Sequence, residues 1–367
     1  MLSSFRKLKP SSIRLEAATV CQLRCPLCST TAGRIGKQLG SGFLRFEDFK
    51  TLIDRNPWVC DVELSNWGEI FLNPDLLEII TYAHARHVTL RADNGVNLNT
   101  VSEEQLEALV KYRVRSLTCS IDGASQETYA RYRKQGHFAS VIKHLQRLNA
   151  YKAQYKSAFP LLKWQFIVFG HNEHEIPLAR QMAKELRMSF WLKFSYDDTF
   201  SPVRNREFVR RESGLEVASE EEFRKKYRKP YLARFICTEL WKRPQINFDG
   251  KVLGCCVNYW GDFGNAFTEG LAESLNNEKI RYARQMLLGE RASRADIPCT
   301  TCRYYQRMKA DRTWLQAHEV RGVRRSRFMN RLVNRFVGPQ CMRLISALFV
   351  NLAIRLRCRR LLMKWRQ

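Results

Sequence analysis

The sequence predicts an α/β fold: a parallel sheet of six βα units, either an incomplete (β/α)6 barrel or a doubly wound sheet, followed by a small α+β unit. Two observations predict it. Short β-branched or apolar runs alternate with amphipathic segments of helical period through the first half of the chain, the pattern of strands linked by crossover helices. Beyond a densely charged stretch the pattern changes to a hairpin-like INFDGKVLGCC around an Asp-Gly turn, with cysteines before and after it.

The strand-like runs are residues 13–19, 62–65, 87–91, 116–121, 162–169 and 190–194. Between them lie amphipathic segments at 47–55, 74–86, 102–112, 125–133, 137–151 and 173–186, each beginning near a capping or turn residue. Connection handedness does not separate a barrel from a doubly wound sheet, but both put function at the C-terminal ends of the strands. Residues 1–195 make the first domain. Residues 196–230 lose apolar periodicity and read as a charged linker or a solvated helix. Residues 231–305 form the second unit, and 306–367 a basic helical tail.

The chain has 367 residues, 45% of them hydrophobic, which excludes general disorder. Its 62 Lys and Arg against 36 Asp and Glu give a net charge of +26, so attraction to a polyanion is expected. From Arg303 onward 17 basic residues face 2 acidic ones, and the excess is concentrated there. MLSSFRKLKPSS lacks the apolar core of a secretory signal, and no run approaches the roughly 20 apolar residues of a membrane span, so a cytoplasmic protein is expected. In that reducing compartment twelve cysteines read first as metal ligands.

Cys21, Cys25 and Cys28 form C-x3-C-x2-C directly after the first strand. Three thiolates leave one position open, which suits a [4Fe–4S] cube with one free iron, whereas structural zinc takes four closed ligands. Zinc or a redox thiol pair is the plainer alternative. CQLRCPLC resembles the signature of the radical S-adenosylmethionine (SAM) superfamily, and LSNWGEIFLNPDL resembles that family's Gly-Gly-Glu motif, with Trp67, Gly68 and Glu69 in its place. The resemblance implies a partial barrel of the radical SAM type. It also implies that Glu69 and its neighbours receive the methionine amino group of SAM. RADNG, with Asn94, resembles the third-strand turn, and Ser120 and Arg133 lie where the family binds ribose or the methionine carboxylate; Gln165 is a further candidate on the fifth strand. Taken singly, Gly68 and Gly95 can serve turn geometry alone, and Asp122 can cap the next helix. Two departures are Trp67 for glycine and Leu27 where the family has an aromatic.

Cys237, Cys255, Cys299 and Cys302, with Gly250 five residues before Cys255, resemble the SPASM auxiliary-cluster domain in its short twitch form, as does Gly264-Asn265 ahead of a short helix. The resemblance implies a second [4Fe–4S] cluster closed by four thiolates; a zinc ribbon is the alternative. Cys256 could replace Cys255 as ligand but breaks the spacing. Cys60 and Cys119 read as small core residues, while Cys341 and Cys358 have no partner spacing. In the tail, LISALFVNLAI between Arg343 and Arg355 suits an amphipathic helix on an anionic membrane, on a partner protein or packed on the barrel, with nucleic acid the weaker option.

The expected activity is hydrogen-atom abstraction from a substrate carbon, catalysed at Cys21, Cys25 and Cys28, in a redox or epimerisation reaction on a sugar or aminocyclitol. The electron donor would be a flavodoxin or ferredoxin. The same-class alternative is a ribosomal-peptide maturase, although the first 12 residues offer no leader-binding domain. The alternative of another class is a zinc-stabilised module binding nucleic acid or membrane.

Overall fold

Seven strands make one parallel sheet in the computed structural model, which describes residues 7–197, 199–228, 231, 236–321 and 326–336. They are β1 (Ser12–Leu15), β2 (Asp61–Glu63), β3 (Thr89–Val96), β4 (Ser116–Ser120), β5 (Leu161–Val168), β6 (Ser189–Phe194) and β7 (Gln245–Ile246). Their order is β6-β5-β4-β3-β2-β1-β7, so β1 to β6 follow the chain without a reversal. A doubly wound sheet reverses its order part-way through the βα series, and β1 to β6 do not. The fold is the partial barrel, open between β6 and β7.

The helices form where the apolar period and the caps agree. On the outside lie α1 (Arg34–Leu39), α2 (Phe46–Arg55), α3 (Leu76–Ala85), α4 (Glu103–Lys111), α5 (Gln126–Tyr132), α6 (Phe138–Gln154) and α7 (Ile176–Glu185). Ser102 and Gln105 make a capping box on α4, and α6 buries Val141, Leu145, Leu148 and Tyr151 at helical spacing. Asp122 does not cap α5. Ser125 does so by accepting from Thr128 N, which frees the Asp122 carboxylate for the barrel interior.

Paired residues in a parallel ladder share a face. Trp164, Phe166 and Val168 stand beside Phe190, Leu192 and Phe194, and those that are buried join the core under the helices. The opposite face is polar: Arg14 pairs with Glu63 and Gln245, Glu63 with Arg91, Ser120 with Gln165, and Ile167 with Lys193. This face lines the inside of the barrel.

The charged stretch folds into α8 (Arg206–Glu212) and α9 (Glu220–Tyr227), tied together by Glu222 accepting from Arg206 and Arg210. After it, β7 adds to the edge of β1, and Ile246 bridges Val252 across the turn at Asp249-Gly250. The small unit therefore continues the barrel sheet. A buried ion pair reinforces the junction: Arg14 on β1 donates to Glu239 at 2.8 Å, at the start of α10 (Glu239–Lys242). The remaining helices are α11 (Leu271–Ser274), α12 (Glu278–Leu287), α13 (Arg303–Ala310), α14 (Ala317–Val320) and α15 (Arg327–Phe336). LISALFVNLAI with Arg343 and Arg355, and also Cys341 and Cys358, lie outside the described residues. Among the described residues no helix is long and apolar enough to cross a membrane.

Candidate active site

Cys21, Cys25 and Cys28 sit on the loop that leaves β1, and three hydrogen bonds hold this loop. Glu69 N donates to Val20 O at 2.8 Å, Arg24 N to Lys134 O at 3.1 Å, and Thr30 Oγ1 to Trp67 O at 2.6 Å. Gly68 is needed for the first of these contacts, since a Cβ there would stand 2.3 Å from Ala18 O and 2.5 Å from Val20 O. Its role is close packing against the cysteine loop.

Two side chains approach the thiols. Arg133 Nη1 lies 3.7 Å from Cys25 Sγ while its Nε donates to Asp122 at 2.6 Å, and Asp122 also accepts from Ile167 N at 2.7 Å. Asn97 Nδ2 lies 3.8 Å from Cys21 Sγ. Burial pushes the Cys21 thiol up to about 12 and raises Cys25 as well, against the opposing pull of Arg133. A bound iron core would supply the positive charge that ionises them.

Glu69 is buried beside this loop and points inward, accepting from Phe71 N at 3.2 Å and Asn97 N at 2.7 Å. Burial pushes its carboxyl up to about 7 despite those amides. Ser120 and Gln165 are buried side by side on the inner face. Gly95, at φ 137°, keeps the space next to Ser120 clear: a Cβ there would stand 2.6 Å from Ser120 Oγ. Asn94 is exposed at the rim and donates to Asn66 Oδ1 at 2.7 Å. Trp67, expected among the cofactor residues, has its indole in an apolar cluster. It packs with Ile35, Leu39 and Leu253 and meets the Tyr259 ring edge-on at 5.7 Å, because these apolar groups of α1 and the C-terminal hairpin offer it burial.

The second cysteine group gathers around one cavity. Cys237, Cys255, Cys299 and Cys302 line it with Leu240, Leu253, Leu287 and Trp260. Burial raises Cys237 and Cys255 well above the usual thiol range and brings Cys299 up to about 12. Cys256 is absent from that lining. Its amide donates to Glu239 Oε2 at 2.9 Å, and burial followed by the Glu239 carboxylate raises its thiol. Cys60 and Cys119 are fully buried, as expected of core residues. Among the described residues no three thiol, imidazole or carboxylate groups converge on a single point.

Sequence reasoning missed Asn97, Asp122 as the partner of Arg133, and Glu16. Glu16 accepts from Trp67 N at 3.0 Å and shapes the turn that presents Glu69. Asn97, two residues after Gly95, and Asp122, within SIDG, flank motifs already singled out. Nothing marked Tyr196, whose hydroxyl donates to Leu27 O at 2.8 Å.

The structure thus has a three-cysteine loop at the mouth of a partial parallel barrel and a four-cysteine cavity in the C-terminal unit, the two groups expected of a SAM-dependent iron–sulfur enzyme. The sequence matches the radical SAM superfamily over residues 15–179 and the SPASM iron–sulfur cluster-binding domain over residues 237–303. The chain belongs to the radical SAM superfamily and carries a SPASM domain; together the two domains imply SAM and two [4Fe–4S] clusters as cofactors. Mycofactocin maturase MftC of Mycobacterium ulcerans is 28% identical over 166 residues, 44% of this chain and 41% of that protein. The AdoMet-dependent heme synthase of Methanosarcina barkeri is 28% identical over 179 residues, 48% of each. The alignments thus span less than half the length of these curated relatives. Among solved structures, Streptococcus suis SuiB bound to S-adenosylmethionine aligns with TM-score 0.57 and 11% identity, over 81% of this chain and 71% of that one. At that identity the likeness concerns the fold.

Proposed function

We propose that this chain cleaves SAM at the Cys21, Cys25 and Cys28 loop to abstract a hydrogen atom from a carbon of a peptide substrate, and that the second cluster accepts the electron left behind. The observation that carries the reading is the convergence of Arg133, Glu69 and Asn97 on the three-cysteine loop at the barrel mouth. When bound, the first cluster would supply the single electron that splits the sulfonium of SAM into methionine and a 5′-deoxyadenosyl radical.

The three thiolates would hold three corners of that cluster. Glu69 would take the methionine amino group, for which its inward carboxylate keeps lone pairs beyond the two amides it accepts. Arg133, steered by Asp122, would meet the carboxylate and offset the charge of the thiolates. Ser120 and Asn94 would bind the ribose side, with Gln165 below them on the inner face. Cys237, Cys255, Cys299 and Cys302 would close the second cluster; Cys256, engaged with Glu239, would not.

A peptide is put ahead of the sugar or aminocyclitol suggested by the cysteine spacing, because curated relatives are named as maturases and SuiB has been crystallised with its precursor peptide SuiA. A flavodoxin or ferredoxin would supply the electron, and the enzyme would work in the cytoplasm or peripherally on the inner face of the membrane.

The experiment is iron, sulfide and 5′-deoxyadenosine measured on anaerobically reconstituted protein. About eight irons and SAM cleavage are expected. Cys25→Ala and Cys255→Ser should each retain about four irons, Cys256→Ser about eight, and only Cys25→Ala should abolish cleavage. Cleavage by Cys25→Ala would overturn the assignment.

A further inference from the structure

We infer that the base of the barrel, the face opposite the cysteine loop, is a docking surface for an anionic lipid membrane, with α15 as its insertion element. The inference rests on the proposed reading of the chain as a peripheral enzyme and identifies the surface that makes the contact.

α15 is fastened to the base. Arg327 donates to Val59 O at 3.0 Å and to Ile53 O at 2.8 Å, and Asn330 donates to Cys60 O at 2.7 Å and His87 O at 3.1 Å. These carbonyls belong to the end of α2 and to the entries of β2 and β3, so the helix lies where the strands begin. With Arg327 and Asn330 committed to the barrel, Phe328 and Met329 are left 66% and 54% exposed, and Arg331 is exposed beside them. Neighbouring exposed large apolar side chains are costly in water and gain at a lipid interface.

The surrounding surface has the matching charge. Arg55, Arg86, Lys111, Lys156, Lys184 and Arg187 are exposed at the C-terminal ends of α2, α3, α4, α6 and α7 or in the loops that follow them. A βα barrel returns all those ends to its base. Cations there complement the helix dipoles, which accounts for one per helix without any ligand. Together they give the base an excess of exposed cations over the exposed Asp54 and Glu185 at the same helix ends. Arg86 pairs with Asp54 at 2.7 Å, while the other five have no carboxylate partner among the described residues. The sequence adds 17 basic against 2 acidic residues from Arg303 onward.

A polyanion alone would satisfy the cations but leave Phe328 and Met329 in water. A lipid interface of anionic headgroups over acyl chains satisfies both. Docked this way, the barrel mouth faces the aqueous side, open to a soluble substrate and reductant.

The test is co-sedimentation of the full-length reconstituted protein with vesicles of phosphatidylcholine alone or with about 30 mole per cent phosphatidylglycerol. Binding to the anionic vesicles alone is expected. Phe328→Ser with Met329→Ser should weaken it by on the order of tenfold or more. Lys111→Glu with Arg187→Glu, which leaves α15 intact, should weaken it by about fivefold or more per charge. Equal binding to neutral vesicles, no binding, wild-type binding by both variants, or binding lost on nuclease treatment would each overturn the inference. Iron content and 5′-deoxyadenosine formation on the same samples separate the two readings. Intact cleavage without vesicle binding removes this inference alone, and vesicle binding without iron removes the catalytic reading alone.

Discussion

Gly68→Ala puts the packing of the cysteine loop to a quantitative test. The added Cβ would stand 2.3 Å from Ala18 O and 2.5 Å from Val20 O, where ordinary contact begins at 3.4 Å. Both neighbours are backbone oxygens, so no rotamer change relieves the clash, and the loop must move by about an ångström. Overpacking of that kind costs about 1–3 kcal/mol, or about 1–2 °C of melting temperature per kcal/mol at this chain length. The chemistry should suffer more. Val20 O anchors Glu69 N and precedes Cys21, so the shift displaces the Glu69 carboxylate and the first thiol together. A displacement of about 1 Å at a reacting centre costs about 100-fold in rate. Calorimetry and 5′-deoxyadenosine release on reconstituted protein measure the two effects, with Gly214→Ala as the control. Gly214 has φ 67° but nothing within 4 Å, so it should lose about 1 kcal/mol and no activity. A Gly68→Ala protein with wild-type melting and cleavage would refute the argument.

Three further outcomes follow from buried groups. Arg14→Met strands Glu239 without its partner and should cost about 3–5 kcal/mol in urea melting, part of it recovered by adding Glu239→Gln. Burial pushes the Glu16 carboxyl up to about 8, so its protonated form favours the fold; that stability is fully present below the ordinary carboxylate range and lost as pH rises through 8. Unfolding free energy measured from pH 6 to 9 should therefore fall, and Glu16→Gln should flatten the slope; an unchanged slope would contradict the assignment. The Trp67 indole N–H is buried without an acceptor, so Trp67→Phe should lose less than about 1.5 kcal/mol and leave SAM cleavage unchanged, whereas a large rise in KM for SAM would place the indole at the cofactor after all.

The fold was legible in the sequence because period and punctuation agree along the first half: β-branched runs, capped amphipathic segments, and cysteines directly after the first strand. The cysteine spacings were legible for a related reason. Ligands on one loop need only local geometry, so C-x3-C-x2-C and C-x2-C carry their meaning in the chain itself. Trp67 shows where this stops. Its place in the motif suggested a cofactor contact, but the apolar surface that claims its indole comes from residue 35 and from residues 253 to 259.

By itself the sequence determined the alternation of strands and helices, the two cysteine groups and the placement of charge toward the C-terminus, since each depends on residues near one another in the chain. Tertiary structure alone decided between barrel and doubly wound sheet, and between a helix cap and an arginine partner for Asp122. It also joined β7 to β1 and laid α15 on the barrel base. Each of these depends on a pairing across tens to hundreds of residues, where burial and hydrogen-bond partners are set by packing that no local pattern encodes.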